Sequence, residues 1–159
     1  MEKLIMDIKD LPSELQAGSK EAPAGSSFSG LLKWGDLDPV KFYADIVTLD
    51  TEVGYPRVMG MSVKNVPPPI GERIVINVYA NKSGDYILGP EGSEHQSGVY
   101  VVGILAHGDD YGSVHDQDGK ISVTLNPNGS FSAKFQFTFT LNGQRGEFLN
   151  GTVNIPASE

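Results

Sequence analysis

The stretch that most limits what this chain can become is Phe131, Ala133, Phe135, Phe137, Phe139 and Leu141, set at every second position with Ser132, Lys134, Gln136, Thr138 and Thr140 between them. A helix would scatter those rings around its circumference, whereas a strand puts every apolar residue on one face and every polar one on the other. A sheet with one apolar face must cover it with a second layer. Upstream, Ile121, Val123 and Leu125 lead through Asn126-Pro127-Asn128-Gly129 into this strand, and Asn142-Gly143 is a strong hairpin signal beyond it. Residues 120–155 therefore read as a three-stranded meander.

Register in the last hairpin carries a further expectation. A strict two-residue loop sets Leu141 opposite Gln144, and counted onward it sets Ala133 and Phe135 opposite Thr152 and Asn150, with Leu149, Val153 and Ile155 on the wet side. Because side chains alternate with period two, one extra residue returns Leu149, Val153 and Ile155 to the apolar face. The sequence thus predicts a bulge, at Gly146 or Gly151, or a three-residue loop.

The same period runs through the rest of the domain. Phe28, Gly30, Leu32 and Trp34 share one face of a first strand; Phe42, Ala44 and Ile46 share one face of a second, with Tyr43 and Val47 opposite. Residues 57–63 form a third, Ile74, Ile76 and Val78 mark a fourth, and residues 98–106 are apolar enough for a central strand covered on both faces. Residues 85–88 could add a short one. Eight or nine strands with turns rich in Gly and Pro, and no helical periodicity, predict an all-β antiparallel sandwich, with a β-barrel as the alternative. Residues 1–27 read as a leader and linker, since 17–27 are mostly Gly, Ser, Ala and Pro; residues 28–156 make the single domain.

Charge narrows the partners. The chain is net −8, and seven acids lie between Lys82 and Lys120, where there is no Lys or Arg but all three histidines: His95, His107 and His115. Such a balance argues against nucleic acid, which needs a basic face. The absence of cysteine excludes disulfide scaffolds, thiolate metal sites and thiol nucleophiles. The first ten residues do not resemble a secretory signal and no run reaches membrane-spanning length, so the expectation by default is cytoplasmic.

Within that acidic stretch, residues 107–119 hold the best candidates for chemistry. Asp116-x-Asp118-Gly119, joined by Asp109 and Asp110, could wrap a hard cation such as Ca²⁺, although Leu125 stands where an EF-hand loop needs its bidentate Glu. His107 and His115 with a carboxylate could instead hold Zn²⁺. The plainer reading is a solvated connection whose Asp and Gly residues make turns. Rings of Trp34, Tyr55 and Tyr111 could stack on a sugar or a partner protein, the alternative for the lone Trp being a plug at one end of the core. Asn81, Asn128 and Asn150 begin acceptor patterns for glycosylation but are equally good turn residues, and Pro67-Pro68-Pro69 reads as a stiff connection rather than a ligand for an aromatic groove.

No nucleophile elbow, phosphate-cradling loop or dinucleotide fingerprint occurs, so the chain does not read as an enzyme. The expectation is a non-catalytic binding or assembly module for protein or carbohydrate, with a homo-oligomer as one assembly it could form. Two alternatives stand beside it. The dyad pattern of the meander would suit a pore-forming or membrane-active hairpin, a membrane role the sequence permits without favouring, and the acidic segment would suit a Ca²⁺-dependent carbohydrate-binding module.

Overall fold

Alternation becomes strand almost wherever the sequence supplies it. The computed structural model describes residues 22–52, 54–64, 70–88, 98–107, 110–115 and 118–157. Eleven strands follow one another there: β1 (Ser27–Trp34), β2 (Val40–Tyr43), β3 (Ile46–Asp50), β4 (Arg57–Lys64), β5 (Ile70–Asn77), β6 (Gly84–Leu88), β7 (Tyr100–His107), β8 (Asp110–His115), β9 (Asp118–Leu125), β10 (Phe131–Leu141) and β11 (Gln144–Ile155). They build two antiparallel sheets, ordered β2-β1-β11-β10-β9-β6 and β3-β4-β5-β7-β8. The sheets form a sandwich and do not close into a barrel.

Two strands exceed expectation, each for a local reason. The second expected strand is two: the Ala44 amide donates to the Phe28 carbonyl at 2.9 Å on one sheet, and the next amide, Asp45, donates to the Met61 carbonyl at 2.7 Å on the other. The chain changes sheets between those residues, so Val47 rather than Ile46 enters the core. The other addition is β8, where the polar residues expected to loop pair instead with β7 as an edge strand.

The core divides by chemistry. All seven phenylalanines and Trp34 lie on strands of the six-stranded sheet, buried on its inner face, while the five-stranded sheet answers with Val47, Val58, Ile74, Ile76, Val101, Leu105 and Val114. Phe135 and Phe148 stack at 5.3 Å between ring centroids, and Phe28 meets Phe42 and Phe135 edge-on at 6.0 and 5.8 Å. Rings this large need hollows opposite them. Phe28 finds one at Gly60 of β4, where a Cβ would stand 2.7 Å from its Cδ2. Each such burial contributes about 2–3 kcal/mol, so the rings dominate what holds the sheets together. The apolar face that a membrane-inserting hairpin would turn toward lipid is, in β9 and β10, the core face. Among the described residues no helix is long and apolar enough to cross a membrane.

The expected bulge is present. Asn142 and Gly143, both at positive φ (50° and 80°), close a two-residue turn with Leu141 opposite Gln144. Pairing then runs regularly to Phe137 opposite Phe148, but resumes at Phe135 opposite Gly151. One extra residue has entered β11 at Leu149–Asn150, with Asn150 at φ 52°. β1 registers the same shift between Ser29 and Leu31, so both neighbours of β11 skip the same place. Val153 and Ile155 reach the core as expected; Leu149 does not, because Phe148 takes the inward position and leaves Leu149 half-buried on the outside.

Candidate functional site

The two outer faces differ. On the five-stranded sheet, Met59, Met61 and Val75 alternate away from the phenylalanine cluster yet are only 3%, 1% and 8% exposed. The six-stranded sheet instead turns an open, polar face outward, and a groove crosses it.

Its walls follow from register. Asp85 of β6 pairs with Ser122 of β9, Ser122 with Lys134 of β10, and Lys134 with Thr152 of β11; one step along, Ile87 pairs with Lys120 and Lys120 with Gln136. Period two sends all of these side chains outward. With Asn150 they line a cavity of about 590 Å³. A smaller one of about 170 Å³, lined by Asp118, Thr138, Glu147 and Leu149 among others, adjoins it at Gln136, which lines both. Gln136 is also the β10 residue skipped by the bulge. A bulge bends its strand and sharpens the local twist, and the bulged segment of β11 forms one side of the hollow.

The groove is furnished for hydrogen bonding. Hydroxyls of Ser122 and Thr152, carboxamides of Gln136 and Asn150, and ammonium groups of Lys120 and Lys134 supply donors and acceptors from three adjacent strands. The Ser122 hydroxyl donates to Asp85 Oδ1 at 2.6 Å, fixing that carboxylate at one wall. Exposed Ile87 (72%) adds an apolar edge. The lining includes no histidine.

The residues singled out by sequence lie elsewhere and apart from one another. Trp34 is 7% exposed, its ring edge-on to Phe139 at 5.1 Å, so it plugs the core and offers no stacking face to a ligand. Tyr55 is half-buried between β3 and β4, edge-on to Tyr79 at 4.7 Å, with Arg57 Nη2 donating to its hydroxyl at 3.5 Å. Tyr111 is in β8, its backbone opposite Ala106.

For the metal candidates, register places His107 opposite Asp110 at one end of the β7–β8 pair and His115 opposite Val102 toward the other. Five strand steps separate Asp110 from His115, about 17 Å. Asp118 opens β9 on the other sheet, opposite Thr138, and is exposed at the mouth of the smaller cavity. Asp109 and Asp116 lie outside the described residues, as do His95 and Pro67-Pro68-Pro69. Among the described residues no group of three or more His, Asp or Glu is placed to hold a metal. The glycosylation-type asparagines are turn and bulge residues: Asn81 and Asn150 have φ 52°, and Asn128 Oδ1 accepts the Ser130 amide at 3.0 Å.

The sequence marks the polar face of β10 but singles out none of its residues as ligand-binding. The available signal was the alternation itself, which marks Lys134, Gln136 and Thr152 as outward. It could not reveal that β6, β9, β10 and β11 lie side by side.

The fold and groove together define an antiparallel β-sandwich with an open polar face on one sheet. Comparison with protein-family models, curated proteins and solved structures gives no match.

Proposed function

We propose that this chain is a non-catalytic binding module whose ligand lies in the groove across β6, β9, β10 and β11, and that the ligand is a hydroxyl-rich chain of the oligosaccharide type. The supporting observation is the lining. Hydroxyls, carboxamides and ammonium groups on successive strands present paired donors and acceptors at the spacing of a sheet, about 4.8 Å. Neighbouring hydroxyl groups of a sugar can both give and take hydrogen bonds, and carboxamides answer both needs at once. Three interstrand steps make the groove about 14 Å across, room for several sugar units. Being open and polar, it exchanges water for ligand at little net gain, so binding is weak, with Kd about 10 μM to 1 mM.

Calorimetric or NMR titration with a panel of neutral and acidic hexasaccharides tests this reading. Binding that perturbs amides of residues 120–122, 134–136 and 150–152, and that falls several-fold in Gln136→Ala at unchanged thermal midpoint, is the expected result. Saturating concentrations of every member without a perturbation in these strands would refute it.

A further inference from the structure

The strands of the six-stranded sheet carry a charge balance on their outer face opposite in sign to that of the whole chain. Among the described strand residues, parity and register bring Lys33 of β1, Lys41 of β2, Lys120 of β9, Lys134 of β10 and Arg145 of β11 to this face, together with three acids, Asp85, Asp118 and Glu147. Five of the chain's twelve basic residues thus meet three of its twenty acidic ones, a local balance of +2 on a chain of net −8. Nothing in the linear sequence shows this, because the five come from five different strands.

Within the face, the charges are not evenly matched. Lys33 lies directly opposite Glu147, a cross-strand pair of opposite sign. Lys120 and Lys134 stand differently. They occupy diagonal positions on adjacent strands, since Lys120 is opposite Gln136 and Lys134 opposite Ser122. Diagonal neighbours on a sheet are about 7–8 Å apart, so two like charges face one hollow. Asp85, on the same rung as Lys134 and diagonal to Lys120 across β6 and β9, accepts from the Ser122 hydroxyl, whereas Lys134 has no acid opposite or diagonal to it among the described strand residues. An anion between the two ammonium groups would relieve their repulsion and gain two charge-assisted hydrogen bonds.

Resting on the binding reading above, we infer that the groove selects an acidic oligosaccharide, one carrying carboxylates along the chain, and that Lys120 and Lys134 receive a carboxylate between them. A nucleic acid fits less well. The face has no ring for a base to stack on in its centre; Tyr43, 57% exposed, stands at its far edge on β2.

The test compares hexagalacturonate with the neutral maltohexaose and cellohexaose by calorimetry at about 50 mM and about 300 mM NaCl. Hexagalacturonate is expected to bind at least about tenfold tighter than either neutral chain at the lower salt, and to lose most of that advantage at the higher. Lys120→Gln and Lys134→Gln should each weaken it about tenfold, the lower range for a hydrogen bond to a charged group, and weaken binding of a neutral chain by distinctly less. Equal affinity for neutral and acidic chains, or acidic binding indifferent to both substitutions, overturns the charge inference and leaves the groove as a neutral-glycan site. If none of the three chains binds, the inference falls together with the binding reading on which it stands.

Discussion

The ring of Phe28 lies over Gly60 of the opposite sheet, so close that a methyl group on Gly60 would stand 2.7 Å from Cδ2 and 2.8 Å from Cδ1. An alanine in a strand usually gains about 0.4–1 kcal/mol by restricting the unfolded chain. Here overpacking, at about 1–3 kcal/mol, outweighs that gain. Gly60→Ala should therefore destabilise, and Phe28→Leu in the same chain should recover part of the loss. Urea unfolding of the two single variants and the double variant measures the coupling; strictly additive effects would show that the contact carries no energy.

A second expectation concerns the bulge. Removing Asn150 leaves Phe148, Gly151, Val153 and Ile155 on the core face and restores unbroken pairing, with Leu149 opposite Gln136 on one side and Gly30 opposite Gly151 on the other. The deletion variant should fold, within about 1–2 kcal/mol of the parent, yet lose the hollow and its ligand. Asn150→Val should keep the extra residue and the hollow, weaken the ligand only by the lost carboxamide contacts, and cost about 1–2 kcal/mol at a left-handed φ that branched residues resist. Circular dichroism melts paired with ligand titration separate the two outcomes.

Trp34 supplies an internal probe. Buried against Phe139, it should emit in the blue range typical of an apolar site, resist quenching by iodide and shift red only on unfolding. Ligand in the groove should leave its emission unchanged. Trp34→Ala should cost about 3–5 kcal/mol through the cavity it leaves. Ready iodide quenching in the native state would contradict the burial.

The two histidines of β7 and β8 should behave independently. With about 17 Å of strand between Asp110 and His115, one Zn²⁺ cannot be shared. In an NMR titration with Zn²⁺, His107→Ala should leave the response of His115 unaltered, and the converse should hold. Loss of both responses from either substitution would mean that the ends of β8 meet.

Much of the fold was legible because period two is a local property. Phe28, Leu32 and Trp34, Ile74 and Ile76, and Phe131 to Leu141 announce their strands and their inward faces without reference to anything distant. Even the bulge was legible, since a two-residue turn at Asn142-Gly143 and an inward Val153 cannot both hold without an extra residue between them. The errors arose where neighbours decide. Ala44 and Asp45 look like the middle of one strand until their amides bond to different sheets, and β8 looks like a loop until β7 offers its edge.

The site belongs to that second category. Local alternation specifies an all-β chain and most of its inward residues, Ile46 and Leu149 excepted, and it calls for a bulge or a longer loop in the last hairpin. Only long-range pairing makes β6, β9, β10 and β11 neighbours, sets the bulged segment beside the hollow on their outer face, and brings Lys120 and Lys134 to that hollow in a chain of net −8. The physical reason is that alternation follows from the geometry of one strand, whereas adjacency, curvature and local charge depend on long-range pairings whose partners stand far apart in the sequence.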